Sequence, residues 1–543
     1  MGPLLGALRF AAVCPWGPDR TEYHVSSSEK ELDLAPVPHS NALKPGAIGL
    51  GGVLFIAVAN AAPITAMTGN TPIALGYGNG IGAPAGFLVA TIVLTLFTVG
   101  FIAMARHITT AGAFYGFITH GLGQVWGMVS GALATMAYVV FEGSLIGIFA
   151  YFTNNALNNW FSIDVNWLLI AIVGIAVIGL FGYYDINIAA AFLGVTLVCE
   201  VVLLLALAFS VLFSGGGPDG LVPEAINPVN AFKSLDATTI GGTQIAAGSA
   251  AIGVFFAFWS WVGFETTAVY GEESRNPRHI VPRATLIAVI GLGTFYTFVS
   301  WMMIAGNGKD VAISKSNTDS IGLWVDLAEK KLGGAFIGDI YLFLIVVGSF
   351  ACGLAFHTAA SRYLYAIGRE VPLTKNSLGR THGVHHTPHV ASVVQSIITL
   401  AFTLGFYVLT TNGDDPFTGA YIFQYGLLAI LGTMAILIVQ AITCLAVIWY
   451  FHVKKVQPGN MLTTGLIPAL GGLGMVYVVW LLIDNIKFAG GLAAGSTFFD
   501  LIPWLVVLTA VVGLLGVLYL RARKPEVYNA IGRTVFEESH TRS

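Results

Sequence analysis

Three glutamates stand inside otherwise apolar runs of this 543-residue chain: Glu142 in "AYVVFEGSLIGIF", Glu200 in "LVCEVVLLLAL" and Glu265 in "SWVGFETTAV". A charged side chain at the centre of a bilayer costs about 2.5–3.5 kcal/mol on insertion scales, so each needs a purpose. A carboxyl held in such surroundings can bind and release a proton, which makes all three candidate proton carriers. His357 adds an imidazole, the one side chain whose ordinary titration falls near neutral pH. His382, His385, His386 and His389 form a further titratable cluster that invites a metal reading.

The rest of the composition says why carboxylates in these runs are unusual. The chain is 56% hydrophobic, and Lys, Arg, Asp and Glu together make only 10% of it. An ordinary soluble domain carries roughly 25%. Mean hydropathy is +0.78. Such a chain cannot cover itself with polar surface in water, so a lipid bilayer is its expected solvent. No basic run exists to bind nucleic acid. The motifs GxxxxGK[ST], HExxH and GxSxG are missing, which argues against a nucleotide-driven pump and against an intramembrane enzyme. The four cysteines (Cys14, Cys199, Cys352, Cys444) show no CxxC spacing.

Apolar windows predict an all-α polytopic membrane protein with twelve transmembrane helices, near 46–75, 85–105, 124–152, 165–183, 187–213, 246–271, 282–305, 336–366, 390–410, 418–451, 462–484 and 499–520. Residues 1–43 read as a cytoplasmic tail, because the apolar stretch from Pro3 to Cys14 is too short to span. With both termini inside, nineteen of the 25 Lys and Arg residues fall on cytoplasmic stretches. Only Lys233, Lys309, Lys315, Lys330, Lys331 and Lys487 fall outside. That bias is the signature of a correct orientation.

Two of these helices should be interrupted. Ala59-Asn60-Ala61-Ala62-Pro63 sits within the first, and proline both lacks an amide hydrogen and clashes with the preceding turn. A kink or opening is therefore expected near Ala59. Gly69-Asn70-Thr71-Pro72 follows near its outer end. The sixth carries Ser260-Trp261-Val262-Gly263-Phe264-Glu265 at its midpoint. Broken backbone is tolerable in a membrane only where it faces protein or a watery cavity. The two breaks lie five helices apart, so a second five-helix unit enters from the opposite side. An inverted repeat led by two interrupted helices is the best sequence pointer to a secondary-transporter site.

Three stretches then resemble one family. "FFAFWSWVGFETTAVYGEESRNPRHIVPRA" (255–284), "HTAASRYLYAIGRE" (357–370) and "THGVHHTPHVAS" (381–392) are similar to signatures of the amino acid–polyamine–organocation (APC) superfamily. The likeness runs in order over roughly residues 44–450. It implies a five-plus-five inverted repeat with two trailing helices, divided as 1–43, 44–213, 214–451, 452–520 and 521–543. It also implies a substrate held between the first, third, sixth and eighth helices. The matching His loop implies an ordinary cytoplasmic connection, so no metal is expected there. The first break departs from the family's glycine-rich pattern, since no glycine lies between Gly52 and Gly69; Ala61, Ala62 and Ile64 can still offer amides. The family's Gly-x-Leu-Pro after the eighth helix is here Val371-Pro372-Leu373.

The resemblance places Asn60, Ala61, Ala62, Ile64, Ser260, Trp261, Gly263 and Phe264 at the substrate, and Trp259, Trp261 and Phe264 are the candidates for the pocket's apolar wall or gate. Glu142, on a helix expected to line the site, could receive a substrate ammonium or partner a polar neighbour. Glu200 stands near where several proton-coupled relatives carry a lysine, and with Glu265 and His357 forms the expected coupling set. The expectation is a symporter in the plasma membrane carrying an amino acid or related amine, with proton as coupling ion and no other cofactor. Exchange, sodium coupling, a channel and a non-transporting nutrient sensor are the alternatives. Oligomeric state and the particular substrate are not specified by sequence.

Overall fold

Backbone amides in hydrocarbon must find partners within the chain, and this chain meets that demand almost wholly with helix. The computed structural model describes residues 46, 48–108, 112–184, 186–370, 377–383, 385, 387–485 and 496–531. The tail through residue 43 with Cys14, Val371-Pro372-Leu373, His386 and the chain beyond residue 531 lie outside the described residues.

The longer helices are α1 (Leu50–Ala61), α2 (Ala83–Ala105), α3 (Phe114–Leu122), α4 (Gln124–Phe161), α5 (Trp167–Tyr183), α6 (Ile186–Phe213), α7 (Ala250–Trp259), α8 (Pro277–Asn307), α9 (Ala335–Glu370), α10 (His389–Leu409), α11 (Leu428–Ile448), α12 (Ile467–Asp484) and α13 (Thr497–Arg523). Among the described residues, nine helical runs are long and apolar enough to cross a membrane. α5 and α7 are shorter apolar helices. The protein is a multi-pass membrane protein.

One of the nine runs, Leu50–Ala105, is not a single rod. The backbone turns left-handed at Ala62 (φ 45°, ψ 75°). It then leaves helical geometry again at Gly78 and at Gly80 (φ 56°). Between those points the helix is widened into π turns over Ala66–Asn70 and Ala74–Asn79. The predicted opening near Ala59 thus falls three residues later. The right-handed helical region is disfavoured for the residue before a proline, and here the distortion settles on Ala62.

α4 and α9 form the spine. They have 38 and 36 residues, so each is longer than a bilayer's hydrocarbon core needs, and they pack along one another. α4 is mostly buried, whereas α13 leaves Leu501, Trp504, Val507, Leu508 and Val511 exposed. That apolar outer face is what contact with lipid requires.

Polar connections carry small elements that hydropathy does not reveal. Helices Lys309–Thr318 and Gly322–Ala328 lie between α8 and α9. A hairpin pairs Thr238–Ile240 with Thr243–Ile245 across Gly241-Gly242. Both glycines have positive φ, as a tight two-residue hairpin turn demands.

Candidate functional site

At the first break, Ala62 ends α1 and Pro63 starts a short helix, Pro63–Thr65. Two carbonyls and one amide at the break have side-chain partners from three other helices. Tyr296 of α8 donates to the Ala61 carbonyl at 2.6 Å, and the Cys352 thiol of α9 to that of Asn60 at 3.4 Å. The Ile64 amide donates to Glu200 Oε2 of α6 at 3.3 Å. The Glu200 carboxyl reaches there because Gly348 on α9 leaves room. A Cβ on Gly348 would stand 2.6 Å from Oε1.

The second break begins after Trp259 and occupies residues 260–265, before a short helix at Thr266–Val269. Gly263 has φ +119°, a conformation that L side chains rarely adopt. The Glu265 carboxylate turns back to accept the Gly263 amide at 3.0 Å, and its other oxygen accepts the Tyr138 hydroxyl of α4 at 3.0 Å. Thr266 Oγ1 donates to the Gly263 carbonyl at 2.5 Å and accepts from Asn60 Nδ2 at 3.0 Å.

That last bond joins the two breaks. A Cβ on Gly263 would lie 2.4 Å from Asn60 Cβ and 3.2 Å from the Ala61 nitrogen, so the unwound segments touch backbone to backbone. A second bridge lies further along. Asn70 Nδ2 donates to Ser260 Oγ at 2.8 Å, Tyr425 is hydrogen-bonded to Asn70 Oδ1, and Trp259 Nε1 donates to the Tyr425 hydroxyl at 3.1 Å.

The aromatic residues divide by side. Trp259 stacks on Phe141 of α4 with ring centroids 4.5 Å apart and lies 6.1 Å from Phe356 of α9. Trp261 packs instead against Phe87 of α2 and Tyr296 of α8, and Phe264 against Phe97 of α2. The apolar wall toward α4 and α9 is therefore Trp259, Phe141 and Phe356.

Glu142 and His357, expected in different roles, stand together. His357 Nδ1 is 3.0 Å from Glu142 Oε1, and its Nε2 is 2.7 Å from Ser392 Oγ of α10. All of Glu142 and His357 is buried. On the stretch after Thr266–Val269, Arg362 of α9 holds Glu273 in a two-pronged ion pair (2.8 and 3.0 Å) and lies over the Tyr270 ring. The Glu273 carbonyl also accepts the Ile48 amide at 3.0 Å, just before α1. Among the described residues no cluster of His, Cys, Asp and Glu could hold a metal.

Tyr138, Tyr296, Tyr425, Asn70 and Cys352 were not among the expected site residues. Asn70 lay in a flagged Gly-Asn-Thr-Pro stretch, and Tyr138 sits one turn before Glu142. Nothing in the pattern marked Tyr296 or Tyr425.

Compared with known proteins, residues 50–512 match the family described as amino acid permease. The chain belongs to the amino acid permease family. This permease is a transporter and not an enzyme. It is 21% identical over 436 residues to the branched-chain amino acid permease BcaP of Lactococcus lactis, covering 76% of this chain and 84% of that one. It is 25% identical over 341 residues to an uncharacterized transporter, Rv1979c, of Mycobacterium tuberculosis, covering 59% of this chain and 66% of that one. Among solved structures, it resembles a manganese transporter of Eremococcus coleocola with TM-score 0.53 and 13% identity, over 88% of this permease and 97% of that chain. That likeness concerns the fold alone.

Proposed function

We propose that this permease is a secondary active transporter that binds one amino acid or related amine between its two breaks and is driven by protons. The observation that carries this reading is the contact of Gly263 with Asn60, which brings two unwound segments to one place. Open helix ends there offer carbonyls and amides to a small polar solute, and rigid-body rocking around them gives alternating access. The arrangement we favour has twelve crossings, a five-plus-five inverted repeat, and both termini on the cytoplasmic side of the plasma membrane.

Coupling follows from what now occupies the amides. Glu200 accepts the Ile64 amide and Glu265 the Gly263 amide. A substrate carboxylate that takes the Ile64 amide leaves the buried Glu200 carboxylate beside Gly348 without that partner. A bare charge is costly there, and a proton removes it. Binding of substrate and of proton thereby favour each other. The Phe141, Trp259 and Phe356 wall suits an apolar side chain, and the Lactococcus relative is named for branched-chain amino acids.

The test is accumulation. Purified protein in liposomes takes up labelled substrate above its outside concentration when a proton gradient is imposed, and loses this when the gradient is collapsed. Strictly downhill flux would indicate a channel or facilitator, and binding without flux a sensor.

A further inference from the structure

Among the described residues, Glu142, His357 and Ser392 make no hydrogen bond to either unwound segment, yet all three are buried. Four helices meet on the His357 ring. α9 supplies it, α4 gives Glu142, and α10 gives Ser392. α5 gives Gly182, whose absent side chain makes the space; a Cβ there would stand 2.6 Å from both Cδ2 and Nε2. Glu142 Oε2 is buried without a hydrogen-bond partner.

This geometry accepts two charge states with the same heavy-atom positions. With a neutral imidazole, Nδ1–H donates to Glu142 and Nε2 accepts the Ser392 hydroxyl, leaving one net negative charge. With an imidazolium, Nδ1–H still donates to Glu142, while Nε2–H donates to Ser392 Oγ. The net charge is then zero. Only the serine hydroxyl rotates. A buried ion pair is far less costly than a lone buried carboxylate.

Three further imidazoles, each half-buried, precede Ser392 in the chain. His389 lies one turn from Ser392 on the same face of α10, and its Nδ1 is buried without a partner. The His389 ring is 5.5 Å from that of His382, which stacks on His385 at 4.9 Å, with Tyr183 of α5 5.0 Å from His382. Arg380 lies on the same loop. Other titratable groups near the cluster are committed elsewhere: Tyr138 on α4 to Glu265, and Arg362 on α9 to Glu273. Tyr363 of α9 stacks on Tyr138 at 4.7 Å.

We propose that Glu142, His357 and Ser392 form a second proton-binding site, distinct from the Glu200 carboxylate. This rests on the reading of the protein as a proton-driven carrier. The experiment compares wild type, His357→Gln, Glu142→Gln and Ser392→Ala in liposomes, by substrate counterflow and by uptake driven by a pH difference. Expected are counterflow within about twofold of wild type in all three variants, and gradient-driven uptake lowered about tenfold or more in His357→Gln and Glu142→Gln. Ser392→Ala should shift the pH profile of driven uptake and leave counterflow intact. Wild-type driven uptake in a folded His357→Gln overturns the proposal. Should neither buried-pair variant fold, an unchanged pH profile in Ser392→Ala overturns it instead. A wild type without counterflow would refute the carrier reading itself.

Discussion

At the scale of single residues, each of the two breaks is capped by a carboxyl group. Glu200 accepts the Ile64 amide and Glu265 that of Gly263, so each unwound turn has a satisfied donor inside the membrane. The substitution Glu200→Gln separates the two roles of that side chain. A glutamine oxygen still accepts the Ile64 amide, so the break keeps its cap and the protein its fold. It cannot take up a proton. Substrate exchange should stay within about twofold of wild type, while accumulation driven by a proton gradient falls about tenfold or more. Normal concentrative uptake by the variant, measured in liposomes, would remove Glu200 from the coupling path and leave it as a structural cap.

At the scale of elements, the stretch after Thr266–Val269 is tied to α9 and to the chain entering α1. Ile48 donates to the Glu273 carbonyl and accepts from the Arg275 amide, both at 3.0 Å, while Arg362 clamps the Glu273 side chain. Both charged groups are 3% exposed. Removing one partner of such a pair strands the other, at a cost of about 3–5 kcal/mol. Arg362→Ala and Glu273→Ala should each lower the melting temperature strongly, and the double variant should lose clearly less than the sum. Additive losses in thermal melts of the purified protein would show that the pair is not coupled. How much of this was legible varied with the physics. Pro63 and Gly263 announced both breaks, because proline's restriction and glycine's freedom act on the local backbone. Hydropathy located the long helices for the same reason. The partners Tyr138, Tyr296 and Tyr425 were not legible, because tyrosine is common in membrane helices and only packing decides which ring reaches a broken turn. The pairing of Glu142 with His357 was hidden likewise, since it joins residues 215 positions apart. Lys309–Thr318 and Gly322–Ala328 escaped notice because each is short and lies in a polar connection.

At the scale of the whole molecule, both ends of the unwound region are fastened at once. Asn70, Ser260, Trp259 and Tyr425 bridge one end, while Ile48, Glu273 and Arg362 tie the other. A carrier must release one set of ties while keeping the other, or it would leak. Cys352 can report that release, because its thiol points at the Asn60 carbonyl and is 1% exposed. In a Cys14→Ser, Cys199→Ser, Cys444→Ser background it is the only thiol left. A membrane-permeant thiol reagent should modify it only during openings of the break, as a slow single-exponential process. Saturating substrate, seated over Asn60, should slow that rate about tenfold, following the occupancy of the site. A labelling rate indifferent to a substrate that the same protein transports would mean that the solute never passes between the two breaks, and that the path lies elsewhere in the bundle.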